Sequence, residues 1–93
     1  MFKMWARLYK GGKILENTTI ENPAPDMSRT AKVFAALEDA CREFDLAKPI
    51  WLEKNIKEFK KLDKTSFNQD NFIETVPFDF FRIEVIEEDE DLY

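Results

Sequence analysis

Polar and apolar residues alternate along three stretches of the chain, which is the pattern of a half-buried β-strand. The stretches are residues 2–10, residues 13–21 and residues 78–86. The first two are separated by Gly11 and Gly12, the only glycines in the protein, which supply the positive φ angles of a two-residue hairpin turn. The sequence therefore predicts an N-terminal hairpin and a C-terminal strand that returns to it.

A two-residue turn at the glycines fixes the register of this hairpin. Opposite positions then sum to 23, which predicts the pairs Leu8–Leu15, Met4–Thr19 and Arg7–Glu16. In this register one face of the hairpin is apolar and is expected to join the core; it carries Phe2, Met4, Ala6, Leu8 and Leu15.

The middle of the chain has helical periodicity. Pro23 and Pro25 mark a connector, and Ser28 is a suitable N-cap for a first helix. Its predicted buried stripe recurs at spacings of three and four and consists of Val33, Phe34, Leu37, Ala40, Cys41 and Phe44. A second amphipathic pattern covers residues 52–62, with Leu52, Ile56, Phe59 and Leu62 on the predicted buried face.

Residues 63–76 carry no clear period and fit a structured loop or one short helix equally well. The resulting element order is β-β-α-α-β. It predicts an α+β fold with a small three-stranded antiparallel or mixed sheet and two helices packed on one face. Ninety-three residues form one domain, here residues 1–86, followed by an acidic tail at 87–93 that is expected to fray.

The other face of the predicted sheet is unusually apolar. It would carry Trp5, Tyr9, Ile14, Ile20, Phe80 and Ile86. Monomers seldom expose that much contiguous apolar surface, so two interpretations are open. The 63–76 loop covers the face, or the face binds a protein partner or a second copy of the chain.

Charge and cysteine content narrow the functional classes. The net charge of −5 argues against a dedicated nucleic-acid binder, because that binding depends on neutralising phosphates. A single cysteine, Cys41, forms no intramolecular disulfide, and the N-terminus has no apolar signal region, so a cytoplasmic location is expected. No stretch is apolar for long enough to predict a membrane span.

The second predicted helix carries a cluster of lysines, although the chain as a whole has a negative net charge. Lysines recur at spacings of three, four and three to form a predicted basic stripe along the second helix: Lys54, Lys57, Lys61 and Lys64. The stripe is either an ordinary solvated face or a contact for phosphates or an acidic partner.

Catalytic chemistry has little basis in this sequence. There is no histidine, and Cys41 lies on a predicted buried stripe where a thiol is usually inert. The paired glycines belong to a hairpin, not a phosphate-binding loop, and no spacing suggests a metal site, a cofactor or a small-molecule ligand. The sequence thus favours a protein-interaction module without enzymatic activity, whose partner is another protein or, in a homodimer, a second copy of the chain. The alternative is an accessory protein that binds or mimics nucleic acid.

Overall fold

A computed structural model describes residues 1–88 of the chain. The strands are β1 (Phe2–Lys10), β2 (Lys13–Asn22), β3 (Lys64–Phe67) and β4 (Phe80–Glu87), and the helices are α1 (Arg29–Glu43) and α2 (Glu53–Leu62). One sheet contains all four strands in the order β2-β1-β4-β3, and each neighbouring pair is antiparallel. The α+β class and the two helices are confirmed. The prediction of three strands is wrong, because β3 lies within residues 63–76.

The hairpin turn forms at the two glycines, whose φ angles are +59° and +77°. The predicted register holds only for the two pairs next to the turn, Tyr9–Ile14 and Lys10–Lys13. A β-bulge then shifts the pairing by one residue, so that opposite positions sum to 24 for the rest of the hairpin. Leu8 therefore faces Glu16, Arg7 faces Asn17, and Met4 faces Ile20, in place of the predicted partners.

This bulge reverses the faces of most of β2, because a shift of one residue turns every later side chain to the other side. Leu15, predicted in the core, is 51% exposed, and Ile20, predicted on the outer face, is 8% exposed and joins the core. The shift is favourable because it buries Ile20 opposite Met4.

Helix α1 begins as the sequence predicts. Ser28 is its N-cap, and the Ser28 Oγ accepts a hydrogen bond from the Ala31 backbone N–H at 3.1 Å. Five of the six predicted stripe residues are buried, whereas Phe34 is half exposed on the side that faces α2.

Helix α2 is held by a buried polar residue that its apolar pattern does not reveal. Asn55 is 2% exposed, and its side-chain nitrogen donates to Thr65 Oγ1 and to the Ser66 carbonyl at 2.9 Å each. Its side-chain oxygen accepts from Asn71 at 2.8 Å. Burial of Asn55 rotates the helix, so the predicted buried residues Ile56 and Leu62 are about half exposed.

The segment after α2 supplies the fourth strand. Thr65 and Phe67 point into the core opposite Ile83 and Phe81 of β4. A short 3-10 helix, Gln69–Asn71, follows, and Phe78, predicted to open the last strand, lies outside it and packs edge-on against Phe72. One apolar cluster between the helices and the sheet contains the buried hydrophobic residues of the four strands and the two helices, together with Phe72 and Phe78.

Candidate functional site

The sheet face opposite the helices carries a row of alternating aromatic and arginine side chains. Its members come from the two central strands and are called the aromatic–arginine face here: Trp5, Arg7, Tyr9, Phe80, Arg82 and Glu84. They form three directly opposite pairs, Trp5–Glu84, Arg7–Arg82 and Tyr9–Phe80. Strand alternation places them all on one side, because each is two positions from the next.

Aromatic stacking holds one end of this face. The rings of Tyr9 and Phe80 lie 4.7 Å apart with an interplanar angle of 24°. The Arg82 guanidinium lies 5.5 Å from the centre of the Phe80 ring and 5.9 Å from that of Tyr9. Such contacts fix the long arginine side chain against the sheet.

The other end is built around Arg7. Its guanidinium lies 3.6 Å from the centre of the Trp5 ring, and its Nη2 donates to Glu84 Oε1 at 3.0 Å. Arg7 is only 7% exposed, so its guanidinium is largely removed from water, whereas 34% of the Glu84 side chain stays exposed. Its Nε is buried and has no hydrogen-bond partner within residues 1–88. Pairing with Glu84 offsets the repulsion expected between Arg7 and Arg82, which face each other across the strands.

The structure brings together four of the six residues that the sequence places on the interaction face: Trp5, Tyr9, Ile14 and Phe80. Ile14 lies opposite Tyr9 on β2 and is exposed. Ile86 is also exposed, and it lies where the pairing of β1 with β4 is irregular, between the Met4–Val85 and Lys3–Glu87 pairs. Ile20 is on the opposite face, for the reason given above. The sequence analysis missed Arg7, Arg82 and Glu84, although the same alternation that selects Trp5 and Phe80 also selects them.

The predicted loop does not cover this face. Phe67 and Phe72, two of its three large apolar residues, belong to the core cluster on the helix side of the sheet, and the third, Ile73, is 95% exposed. The buried apolar residues of both helices, such as Leu37 of α1 and Phe59 of α2, also lie in that cluster. Within residues 1–88, the ring contacts of Trp5, Tyr9 and Phe80 are with one another and with Arg7 and Arg82 of the same sheet.

The predicted lysine stripe is not one helix surface. Lys57 is ion-paired with Glu53 at 3.1 Å, and Lys64 lies in β3, beyond the end of α2. Lys54 and Lys64 instead line one polar cleft where α2 crosses β3, together with Arg82.

A second apolar surface lies between the helices. Phe34 of α1 and Ile56 of α2 flank a groove of about 230 Å³, with Trp51 at its base and Arg29 and Lys60 among its lining residues. Trp51 packs edge-on against Phe34, Phe59 and Phe67, so it ties this groove to the core.

Cys41 is a free, buried thiol, as the sequence predicts. Burial raises its pKa to about 11 from an ordinary 9.0, against a smaller lowering by Lys48. We expect alkylation of the folded protein by iodoacetamide at pH 8 to be at least about 100-fold slower than in urea, because two pKa units reduce the thiolate population about 100-fold. Equal rates in the folded and unfolded protein would contradict this burial.

The predicted acidic tail is partly described. Glu87 ends β4 instead of fraying, and Glu88 forms an ion pair with Arg29 at the start of α1. The rest of the tail, residues 89–93, lies outside the described residues.

Comparison with known proteins gives no relative: no family model, no curated protein and no solved structure matches the chain. In the part of the chain that the structure describes, no helix has the length and apolarity to cross a membrane. Within the same residues, no group of three or more acidic, histidine or cysteine side chains is arranged to hold a metal ion.

Proposed function

We propose that this protein is a small interaction module that associates through its aromatic–arginine face, and that its partner is a second copy of the same chain. One observation supports this most directly: Trp5, Tyr9 and Phe80 lie on one side of the two central strands, with the Arg7 guanidinium between Trp5 and Tyr9, and none of them belongs to the core cluster that the helices cover. Tryptophan, tyrosine and arginine are also the residue types that contribute most to protein interfaces.

The contacts that the aromatic rings already make favour a protein partner over a nucleic acid at this face. Tyr9 and Phe80 are stacked on each other, and Arg7 covers Trp5, so these ring surfaces are already in contact with protein groups. A base would have to displace those contacts in order to stack. Because Arg7 is already paired with Glu84, covering it with a second copy costs less than burying a lone charge.

The dimensions of the sheet set the expected strength of association. Four strands spaced by about 4.8 Å, with an average length of about eight residues of 3.3 Å, give a face of about 500 Å². Two such faces would bury about 1,000 Å², at the lower limit for a specific interface, so we expect a dissociation constant in the micromolar range.

The test is the solution mass by light scattering after size exclusion, over about a hundredfold range of concentration centred on the micromolar range expected above. The proposal predicts a shift from 11.0 kDa at low concentration towards about 22 kDa, twice that value, at high concentration. A mass of 11.0 kDa at every concentration would contradict self-association.

A further inference from the structure

The polar cleft between α2 and β3 gathers three cations on an acidic protein. Lys54 lines it from α2, Lys64 from β3 and Arg82 from β4, and the cleft has a volume of about 260 Å³. The neutral polar residues Ser66 and Asn68 also line the cleft. The cleft lies at the β3 edge of the sheet and shares Arg82 with the aromatic–arginine face.

The three cations of the cleft are not neutralised within residues 1–88. None of them forms an ion pair there, whereas Lys3, Arg7 and several other cations do. Glu84, which lies across the strands from Lys64, is bound by Arg7.

Glu58 is the one carboxylate that lines the cleft, and it makes no ion pair in the described chain. The cleft therefore keeps a formal charge of about +2 when the three cations and Glu58 are added, in a chain whose net charge is −5. An anion that entered the cleft would relieve the mutual repulsion of the cations.

Arg82 is held in an orientation that suits a bidentate ligand. Its Nε donates to Ser66 Oγ at 3.0 Å, and its guanidinium lies 5.5 Å from the centre of the Phe80 ring. These contacts leave its two Nη groups without a hydrogen-bond partner in the described residues. Paired N–H donors of a fixed guanidinium match two oxygens of a phosphate group. Ser66, whose oxygen accepts from Arg82, still has its own hydroxyl proton to donate.

We propose that this cleft is a binding site for a phosphate group, as the free ion or as the phosphate of a monoester. Arg82 binds two of its oxygens, and Lys54 and Lys64 neutralise it from either side. The volume of about 260 Å³ accommodates a phosphate group together with several waters, since each water occupies about 30 Å³ in the liquid.

The test is a titration of the full chain with inorganic phosphate at pH 7.5 and constant ionic strength, followed by amide chemical shifts. We expect saturable shifts that centre on residues 64–68 and the first turns of α2. Lys54→Gln should weaken binding about three- to tenfold, and Glu58→Gln should strengthen it about threefold, because they change the charge of the cleft in opposite directions.

Lys13→Gln is the matched control, because Lys13 is an exposed lysine at the hairpin turn, far along the chain from the cleft, and makes no ion pair within residues 1–88. Its affinity for phosphate should equal that of the unsubstituted protein. Shifts that do not saturate, or a loss with Lys13→Gln as large as with Lys54→Gln, would overturn the proposal.

A parallel titration with adenosine 5′-monophosphate distinguishes the source of the phosphate. Tighter binding than inorganic phosphate would assign the site to a nucleotide, and equal binding would assign it to the phosphate group alone; both support the site. Lys54 and Glu58 lie outside the aromatic–arginine face, so their variants change the charge of the cleft without altering a residue of the proposed dimer interface.

Discussion

Replacing Phe81 by alanine is expected to lower the free energy of unfolding by about 3–5 kcal/mol, because the deletion leaves a cavity in a close-packed core. Phe81 is fully buried, and its ring packs edge-on against Phe44 and Phe67, each 5.9 Å away between ring centres. A domain of 93 residues has a total stability of about 5–14 kcal/mol by the per-residue average. The substitution should therefore remove a large share of it, measured by urea denaturation at a concentration where the protein is monomeric.

Phe80, the preceding residue, is the matched control for this prediction. It lies on the opposite face of β4, stacked on Tyr9 and only partly buried. Phe80→Ala should cost only about 0.5–1.5 kcal/mol, the value of one aromatic pair. Equal destabilisation by the two substitutions would mean that β4 does not separate a core face from an open face.

Replacing Phe80 by glutamate is expected to raise the dissociation constant of the dimer at least about 100-fold, because it replaces an aromatic contact of the proposed interface with a buried charge. The folded monomer should persist, since Phe80 does not belong to the core cluster. The measurements are solution mass and circular dichroism at the same concentrations.

Ile73→Glu is the control for a glutamate substitution of an exposed apolar residue. Ile73 is 95% exposed and lies outside the sheet, so this variant should dimerise as the unsubstituted protein does. A Phe80→Glu variant that keeps the unsubstituted mass at every concentration would rule out the aromatic–arginine face as the interface.

The elements that could be predicted from sequence are those with strong local signals. The glycine pair fixed the hairpin turn, and Ser28 with a long apolar stripe fixed the start of α1. These features depend on backbone conformation and on neighbours within a few residues, which the sequence displays directly.

The β-bulge could not be predicted, because its advantage comes from distant residues. It places Ile20 in a core completed by the helices, and it displaces Leu15 to solvent. No local feature of β2 distinguishes the bulged register from the unbulged one. The unbulged register would even place the opposite charges of Arg7 and Glu16 next to each other.

The same limit explains β3 and the orientation of α2. Strand β3 has only four residues, and it is stabilised by pairing with β4 at the far end of the chain. Asn55 can be buried because Thr65, Ser66 and Asn71 form hydrogen bonds with its side-chain amide. A pattern based on hydrophobicity alone assigns such a polar residue to the surface.

The candidate site was predicted in part for the same physical reasons. Alternation on β1 and β4 was sufficient to bring Trp5, Tyr9 and Phe80 to one face. The cleft depends on β3, which places Lys64 and Ser66 beside Arg82. Because the sequence did not predict this fourth strand, it could not predict the cleft.

The most direct test of association through the aromatic–arginine face is fluorine NMR of protein labelled with 5-fluorotryptophan. The two tryptophans report on different surfaces, Trp5 on that face and Trp51 on the groove between the helices. On dilution through the micromolar range, we predict that the Trp5 resonance moves and the Trp51 resonance does not. A stationary Trp5 resonance, or movement of Trp51 alone, would contradict association through this face.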